Sequence, residues 1–460
     1  MTLAPTRRRR FIAAIGGLLL ASCASVPPLA VAPPIVFVHG NGDSAALWQT
    51  TLWRFESNGW PRERLRAIDL PFPLARDDDE RAQPGRSSST EHMQLLAAEV
   101  DRLLQSTGAA KVVLIGNSRG GIAIRNYIAH GGGRAKVSHA VLGGTPNHGV
   151  WSHPGFLPRS EFNGAGPVLT ALNHQGGAGV EITPGVQWLT VRSDRNDKFA
   201  QPDGVWIGQR GTATHVGFDS PELKGAKNVV LADIDHRETS FSAAAFAIAH
   251  DFIVGRAPAT PLIVPQWRAV LDGQVSGLGL DNQPGSGNFV NNLPLAGATV
   301  VVYATDPATG ERRAAPLHRR SVGADGRWGP FSADPGVSHE FVVSAPGFAT
   351  THIYRSPFPR SSDIVHLRAT RLADADRAAK AVVALVRPRG YFGVPRDRIS
   401  LDGVSPPAGI PSGTAGVAEA RLRLPDATAR AVAGEFNGER IVGRSWPTAD
   451  NHLVLLELHH

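Results

Sequence analysis

Lys111-Val-Val-Leu-Ile-Gly-Asn-Ser118-Arg-Gly-Gly-Ile-Ala-Ile124 is the stretch whose reading decides the rest of the chain. Val112 to Ile115 is a continuous β-branched and aliphatic run, as a parallel strand buried on both faces requires. It feeds directly into Gly116-Asn117-Ser118-Arg119-Gly120, a Gly-x-Ser-x-Gly pattern, and Ile122 to Ile128 can continue as a helix. In such an elbow the serine occupies a sharp strand-to-helix turn, and the glycines leave room for backbone that side chains would crowd. Its hydroxyl then stands free at the end of a sheet. A chain with 50 glycines also offers ordinary glycine turns, but those need neither the buried strand before the serine nor the helix after it.

The 460 residues allow two or three domains and a substantial core, and no internal repeat is evident. Much of the formal charge of +7 comes from Arg7, Arg8, Arg9 and Arg10, in a leader expected to be removed. Without them 43 basic residues face 40 acidic ones, a balance that does not argue for nucleic acid. Met1 to Arg10 is a positive segment and Phe11 to Leu20 an apolar one, too short to span a bilayer and long enough for a secretory signal. Arg-Arg-Arg-Arg-Phe-Ile also resembles a twin-arginine export signal. Leu20-Ala-Ser-Cys23 resembles the lipobox of bacterial lipoproteins, which implies an acylated Cys23 as the first mature residue and, with Ala24 next, an outer-membrane destination. The alternative is ordinary signal-peptidase cleavage near Ala24 or Ala32. Cys23 is the only cysteine, so no disulfide can form within the chain.

Further along, Pro34-Ile-Val-Phe-Val-His-Gly-Asn-Gly-Asp43 reads as a buried strand running into a glycine turn. Ala67-Ile-Asp-Leu begins the next strand, and the acidic run Asp77 to Glu80 reads as a solvated loop rather than a metal site. Ser88 and Glu91 fit a capping box opening a helix over Glu91 to Gln105, which Gly108 stops. Strand, helix, strand, elbow and helix in that order call for a doubly wound, mostly parallel sheet. Val137 to Gly149 carries a further strand. Residues 150–184 lose strand character and are expected to form a lid-like insertion over a cleft, or a helical insertion packed permanently on the core. Val186 to Ser193 and Asn228 onward supply two more strands, and Phe241 to Val254 a helix.

Strand, His-Gly-Asn-Gly and elbow together resemble the α/β-hydrolase fold, specifically its lipases. That resemblance implies an oxyanion hole made by the backbone N–H groups of Asn41 and Arg119, whose side chains then need not matter. It also implies a serine nucleophile, Ser118, with Asp197 and His236 completing a triad in the order α/β-hydrolases use. The spacing of Asp197 from Gln201-Pro202 resembles the acid-bearing loop of lipases, with Asp194 the alternative acid. His236 follows a strand, whereas the rival base His215 sits in a polar loop without one. His39 reads as structural and His148 as a loop or cleft residue. Spacings for Cys/His metal ligation are absent, so no metal and no organic cofactor are expected.

The expected organisation is a signal peptide over 1–22, a linker over 23–33, a catalytic α/β region over 34–256, a linker over 257–269, a β-sandwich over 270–370 and a second β-rich unit over 371–460. The sandwich resembles carboxypeptidase-regulatory or transthyretin-like modules, departing from them in the Gly/Asn-rich Leu278 to Asn292. Asn437-Gly438 marks a hairpin turn within the last unit, for which two arrangements are open: packed with the sandwich or standing alone. The whole resembles an archaeal lipase type with a β-rich, lipid-binding C-terminal domain. The expectation is an exported, membrane-anchored carboxylic ester hydrolase acting on a lipid or ester substrate. Alternatives are a polyester depolymerase or an acyltransferase with the same triad, and a non-catalytic surface-binding lipoprotein.

Overall fold

In the computed structural model the described residues are 32–177, 179–209, 211–279 and 289–460. The expected leader and Cys23 lie outside them. Strands Leu65–Ile68, Ile35–Val38, Val112–Asn117, Val137–Gly143, Gln187–Ser193 and Lys227–Leu231 form one sheet in that spatial order. Every pairing in it is parallel. The aliphatic elbow strand is buried along its whole length, because helices cover both faces of the sheet.

Ser89–Thr107 is the helix announced by its cap: Ser88 Oγ accepts from the Glu91 amide at 3.1 Å and Glu91 Oε2 accepts from the Ser88 amide at 2.7 Å. Gly108, at φ +65°, ends it. The helix expected over Phe241 to Val254 is broken instead. A short turn, Glu238–Phe241, stops at Ser242, whose extended backbone and Oγ (3.1 Å from the Ala245 amide) cap a new helix, Ala243–Val254.

The strand order reverses between Ile35–Val38 and Val112–Asn117, which are neighbours although the chain visits Leu65–Ile68 between them. Loops at the carboxyl ends of two such strands diverge and leave a crevice. Here those ends are Gly40-Asn41 and Ser118.

Beyond residue 268 the structure is almost entirely β. Seven strands form the main C-terminal sheet, in the order His318–Ser321, Thr299–Thr305, Ser338–Ser344, Thr350–Arg355, His452–Glu457, Ala381–Val386 and Glu419–Leu424. The chain's last strand lies between Thr350–Arg355 and Ala381–Val386, parallel to both, and stitches residues on either side of position 370 into a single sheet. Thus the C-terminal stretch 371–460 packs with the sandwich rather than standing alone. Ala431–Phe436 and Glu439–Arg444 form the hairpin read from Asn437-Gly438.

The two halves of the molecule interlock. Trp53, on helix Gln49–Ser57 of the α/β half, is packed in the core of the C-terminal sandwich and donates Nε1 to the Ser361 carbonyl at 2.8 Å. Glu56 on the same helix pairs with Arg360 at 3.0 Å. Truncating a buried tryptophan of this kind costs about 3–5 kcal/mol, so this contact couples the halves.

Candidate active site

Ser118 sits between strand Val112–Asn117 and helix Arg119–His130 with φ +52° and ψ −123°, a backbone that non-glycine residues rarely adopt. Its amide donates to the Gly143 carbonyl on the next strand, and its carbonyl accepts from Gly121, both at 2.9 Å. Helix and sheet meet here too closely for a side chain: a Cβ on Gly120 would lie 2.3 Å from the Val38 carbonyl oxygen. Asn117 Nδ2 donates to the His236 carbonyl at 3.3 Å and to Ser240 Oγ at 2.9 Å, joining the elbow to the histidine turn.

Strand Gln187–Ser193 delivers the loop of Asp197, and strand Lys227–Leu231 the turn of His236. Both side chains are buried, with His236 Nδ1 2.8 Å from each carboxylate oxygen of Asp197. A proton held on Nδ1 by that carboxylate leaves Nε2 as the basic nitrogen. The Phe199 ring packs edge-on against the imidazole, centroids 4.6 Å apart. Asp194 is engaged elsewhere, accepting from the Arg195 and Asp233 amides and from Ser193 Oγ. His215 faces His153 and lines a different cavity from the one that Ser118 and His236 share.

Among the described residues, the amides of Asn41 and Arg119 donate to no protein acceptor; Arg119 follows Ser118 directly, and Asn41 lines the same cavity as Ser118. The expectation that their side chains are dispensable needs correction. Asn41 Oδ1 accepts from the Ala75 amide at 2.7 Å. The fully buried Arg119 guanidinium reaches Glu161 (Nη2 at 2.7 Å), the Pro73 carbonyl (3.1 Å) and Ser87 Oγ (2.9 Å). Burial raises the Glu161 carboxyl above the usual range while Arg119 opposes that rise. Arg125, six residues further along the helix, donates to the Leu172 and Glu181 carbonyls. Two buried guanidinium groups thereby tie segment 150–184 to the elbow helix. His39 is buried, its Nε2 accepting from the Leu70 amide at 3.0 Å. His148 contacts Glu181 and the Ser220 carbonyl.

Ser118 and His236 open into a cavity of about 220 Å³. Trp151, Phe156, Leu157 and Phe162 of the 150–184 segment form one wall, and Phe199 and Trp206 another. Tyr391, from the C-terminal region, completes the lining. The ion pair of Asp43 with Arg237, at 2.9 Å, forms its polar rim. Phe199 and Trp206 could have been suspected from their closeness to Asp197; Tyr391 gives no local sequence signal. Among the described residues no group of three or more His, Cys, Asp or Glu side chains is arranged to hold a metal ion, and no helix is long and apolar enough to cross a membrane.

A strand-to-helix elbow bearing Ser118, a buried acid–imidazole pair and a largely apolar cavity meet at the sheet's crevice. Residues 33–163 match the family model of the alpha/beta hydrolase fold, and residues 268–372 that of the lipase C-terminal domain. The chain thus joins an α/β-hydrolase fold to a β-rich C-terminal region whose first part matches a lipase C-terminal domain. Among solved structures, it is 22% identical to the mature form of Bacillus licheniformis lipase BlEst2, over 46% of this chain and 88% of that one, with a TM-score of 0.33. Against the propeptide form of the same lipase, identity is 16%, over 91% of this chain and 94% of that one, with a TM-score of 0.36. Against Aspergillus fumigatus lipase B it is 15%, over 51% of this chain and 57% of that one, with a TM-score of 0.36.

Proposed function

We propose that the chain is an exported serine hydrolase of carboxylic esters that works through an acyl-enzyme. The observation that carries this is the buried pair of Asp197 and His236 opening into the same cavity as Ser118 on its elbow. A serine hydroxyl is a poor nucleophile until a neighbouring imidazole takes its proton. His236 Nε2 takes that proton as Ser118 Oγ attacks the acyl carbonyl, and Asp197 stabilises the imidazolium that forms. The Asn41 and Arg119 amides bind the developing oxyanion; a donor so placed is typically worth about 2.7–4 kcal/mol in the transition state. His236 then protonates the departing alcohol. Water, deprotonated by the same imidazole, attacks the acyl carbon and frees the carboxylic acid, restoring Ser118.

The aromatic and aliphatic walls suit an acyl chain, which is the part of an ester that gains from leaving water. Hydrolysis of p-nitrophenyl esters of increasing acyl length by the intact protein and by Ser118→Ala tests the reading. Turnover that vanishes in the variant supports it; a variant as active as the wild type ends it. Anchoring through Cys23 belongs to the same proposal. Acyl chains contribute about 0.8 kcal/mol per buried methylene, so two or more hold firmly. Cys23→Ala should move the protein from the membrane fraction to the soluble one, and unchanged membrane retention would refute the anchor.

A further inference from the structure

The two loops that carry the acid and the base both rest on one segment of the C-terminal region. On the base side, Asp235, immediately before His236, is fully buried, and its carboxylate accepts from Arg387 Nη1 at 2.6 Å and from the Tyr391 amide at 2.8 Å. The same carboxylate accepts from the Arg237 and Glu238 amides at 2.8 and 3.0 Å, so it closes the histidine turn on itself. Arg387 also donates to Glu238 at 2.7 Å and to the Tyr391 and His460 carbonyls. Arg237, just after His236, donates to the Pro388 carbonyl and lies over the Tyr391 ring, 4.7 Å from its centroid.

The acid side is held in the same way. Asn196, immediately before Asp197, accepts from the Ala415 amide at 3.0 Å. Lys198, immediately after it, donates to the Gly416 carbonyl at 3.0 Å, with its ammonium 3.8 Å from the Tyr391 centroid. Gly416 in turn packs against Trp206 so tightly that a Cβ there would lie 1.8 Å from the ring. Each neighbour of Asp197 and each neighbour of His236 is therefore bonded to residues 387–416.

We propose that the C-terminal β region is a working part of the catalytic site, in which Arg387 positions His236 through Asp235, while Ala415 and Gly416 position Asp197 through Asn196 and Lys198. This rests on the ester-hydrolase reading and extends it to residues that touch no substrate. The distance between an imidazole and its carboxylate tolerates little error, and a misplacement of about 1 Å can cost ~10²-fold in rate. The parallel sheet ends at Leu231, and His236 lies beyond it on a turn whose buried carboxylate is bonded, among the described residues, to Arg387 at 2.6 Å, with Arg396 further off at 3.6 Å. Arginine suits the place because its planar fork serves Asp235 and Glu238 at once.

The test compares full-length wild type, Arg387→Met, Arg387→Lys and Ser118→Ala on a soluble short-chain p-nitrophenyl ester, with circular dichroism to establish that each is folded. The expected result is a fall of about 10–100-fold in kcat for Arg387→Met with KM within about twofold, the size of effect a positional error produces. Arg387→Lys should recover part of that loss, because a point cation can still pair with Asp235. A folded Arg387→Met that keeps its kcat overturns the positioning role and leaves the hydrolase reading intact. A wild type without activity, or one matched by Ser118→Ala, overturns the hydrolase reading and this role with it. If Arg387→Met does not fold, Lys198→Met decides: its apolar stem stays among the aromatic rings, while the bond to Gly416 and the ammonium over the Tyr391 ring are lost. A drop in kcat at constant KM then supports the positioning of the acid loop, and an unchanged kcat overturns it.

Discussion

Nδ1 of His236 is equidistant, at 2.8 Å, from the two carboxylate oxygens of Asp197, while Asp194, three residues earlier, spends its carboxylate on Ser193, Arg195 and Asp233. The two acids are close in sequence and opposite in role: one holds an imidazole, the other folds a loop. Asp197→Asn should lower kcat for ester hydrolysis by about 10³–10⁴-fold, because an amide stabilises the wrong tautomer and cannot balance the imidazolium. Asp194→Asn should leave kcat within a few-fold. Steady-state kinetics on the two folded variants separates them, and a reversed order would transfer the acid to Asp194.

The buried pair of Arg119 and Glu161 makes a second prediction, on stability. Glu161→Ala leaves a guanidinium in the interior without its carboxylate, and breaking a buried pair from one side costs about 3–5 kcal/mol. Arg119→Met leaves the carboxylate in the same position and should cost a similar amount. The double variant should lose clearly less than the two single losses added together, since no buried charge remains. Urea unfolding of the four proteins measures that coupling, and simple additivity would mean the pair is energetically inert.

What could be read in the sequence was whatever depends on neighbours along the chain. Val112 to Ile115 needs only its own side chains to be a buried strand, and Ser88 with Glu91 needs only three residues to cap a helix. Resemblance to a known family contributed the order of Ser118, Asp197 and His236, which strand periodicity alone does not provide. Contacts closed by tertiary folding left no trace. Nothing near Arg119 announces Glu161, 42 residues away, and nothing near Asp235 announces Arg387, 152 residues away. The break at Ser242 was hidden for another reason: Phe241 to Val254 is apolar except at Ser242, His250 and Asp251, and one serine cap outweighed an otherwise continuous helical pattern.

Acid sensitivity follows from a histidine in the C-terminal core. Both ring nitrogens of His339 are buried without a hydrogen-bond partner, between Phe331 and Phe341, and burial pushes its pKa from 6.5 down to about 4, against a small opposing pull from Asp334. Below pH 6.5 the unfolded chain takes up a proton that the folded chain refuses until about pH 4, so stability falls as pH drops through that window. At pH 5 the share lost at this one position is on the order of 2 kcal/mol. His339→Leu should narrow the difference in unfolding free energy between pH 7 and pH 5 by about that amount. Burial likewise depresses His92, His366 and His459, so some acid sensitivity should persist in the variant. An unchanged difference would show that His339 is not the group responsible.

Two glycines separate conformational from steric need. Gly438 sits at φ +98° in the two-residue hairpin turn with nothing within 4 Å of where a Cβ would be. Alanine there meets no neighbour and suffers only from the backbone angle, for a cost of about 1–2 kcal/mol. Gly120 has no unusual φ, but its Cβ would fall 2.3 Å from the Val38 carbonyl oxygen, a backbone atom that cannot swing aside without opening the contact between the elbow helix and the sheet. Gly120→Ala should therefore cost clearly more than Gly438→Ala, and the difference should extend to function. Gly438→Ala keeps ester hydrolysis at the wild-type rate, whereas Gly120→Ala, by pushing the helix that starts at Arg119 away from Val38, displaces Ser118 and the Arg119 amide together. Unfolding midpoints and kcat measured side by side test both halves. Equal costs would mean the elbow helix can shift by more than an ångström without loss, and that its close approach to the sheet does not set the position of the nucleophile.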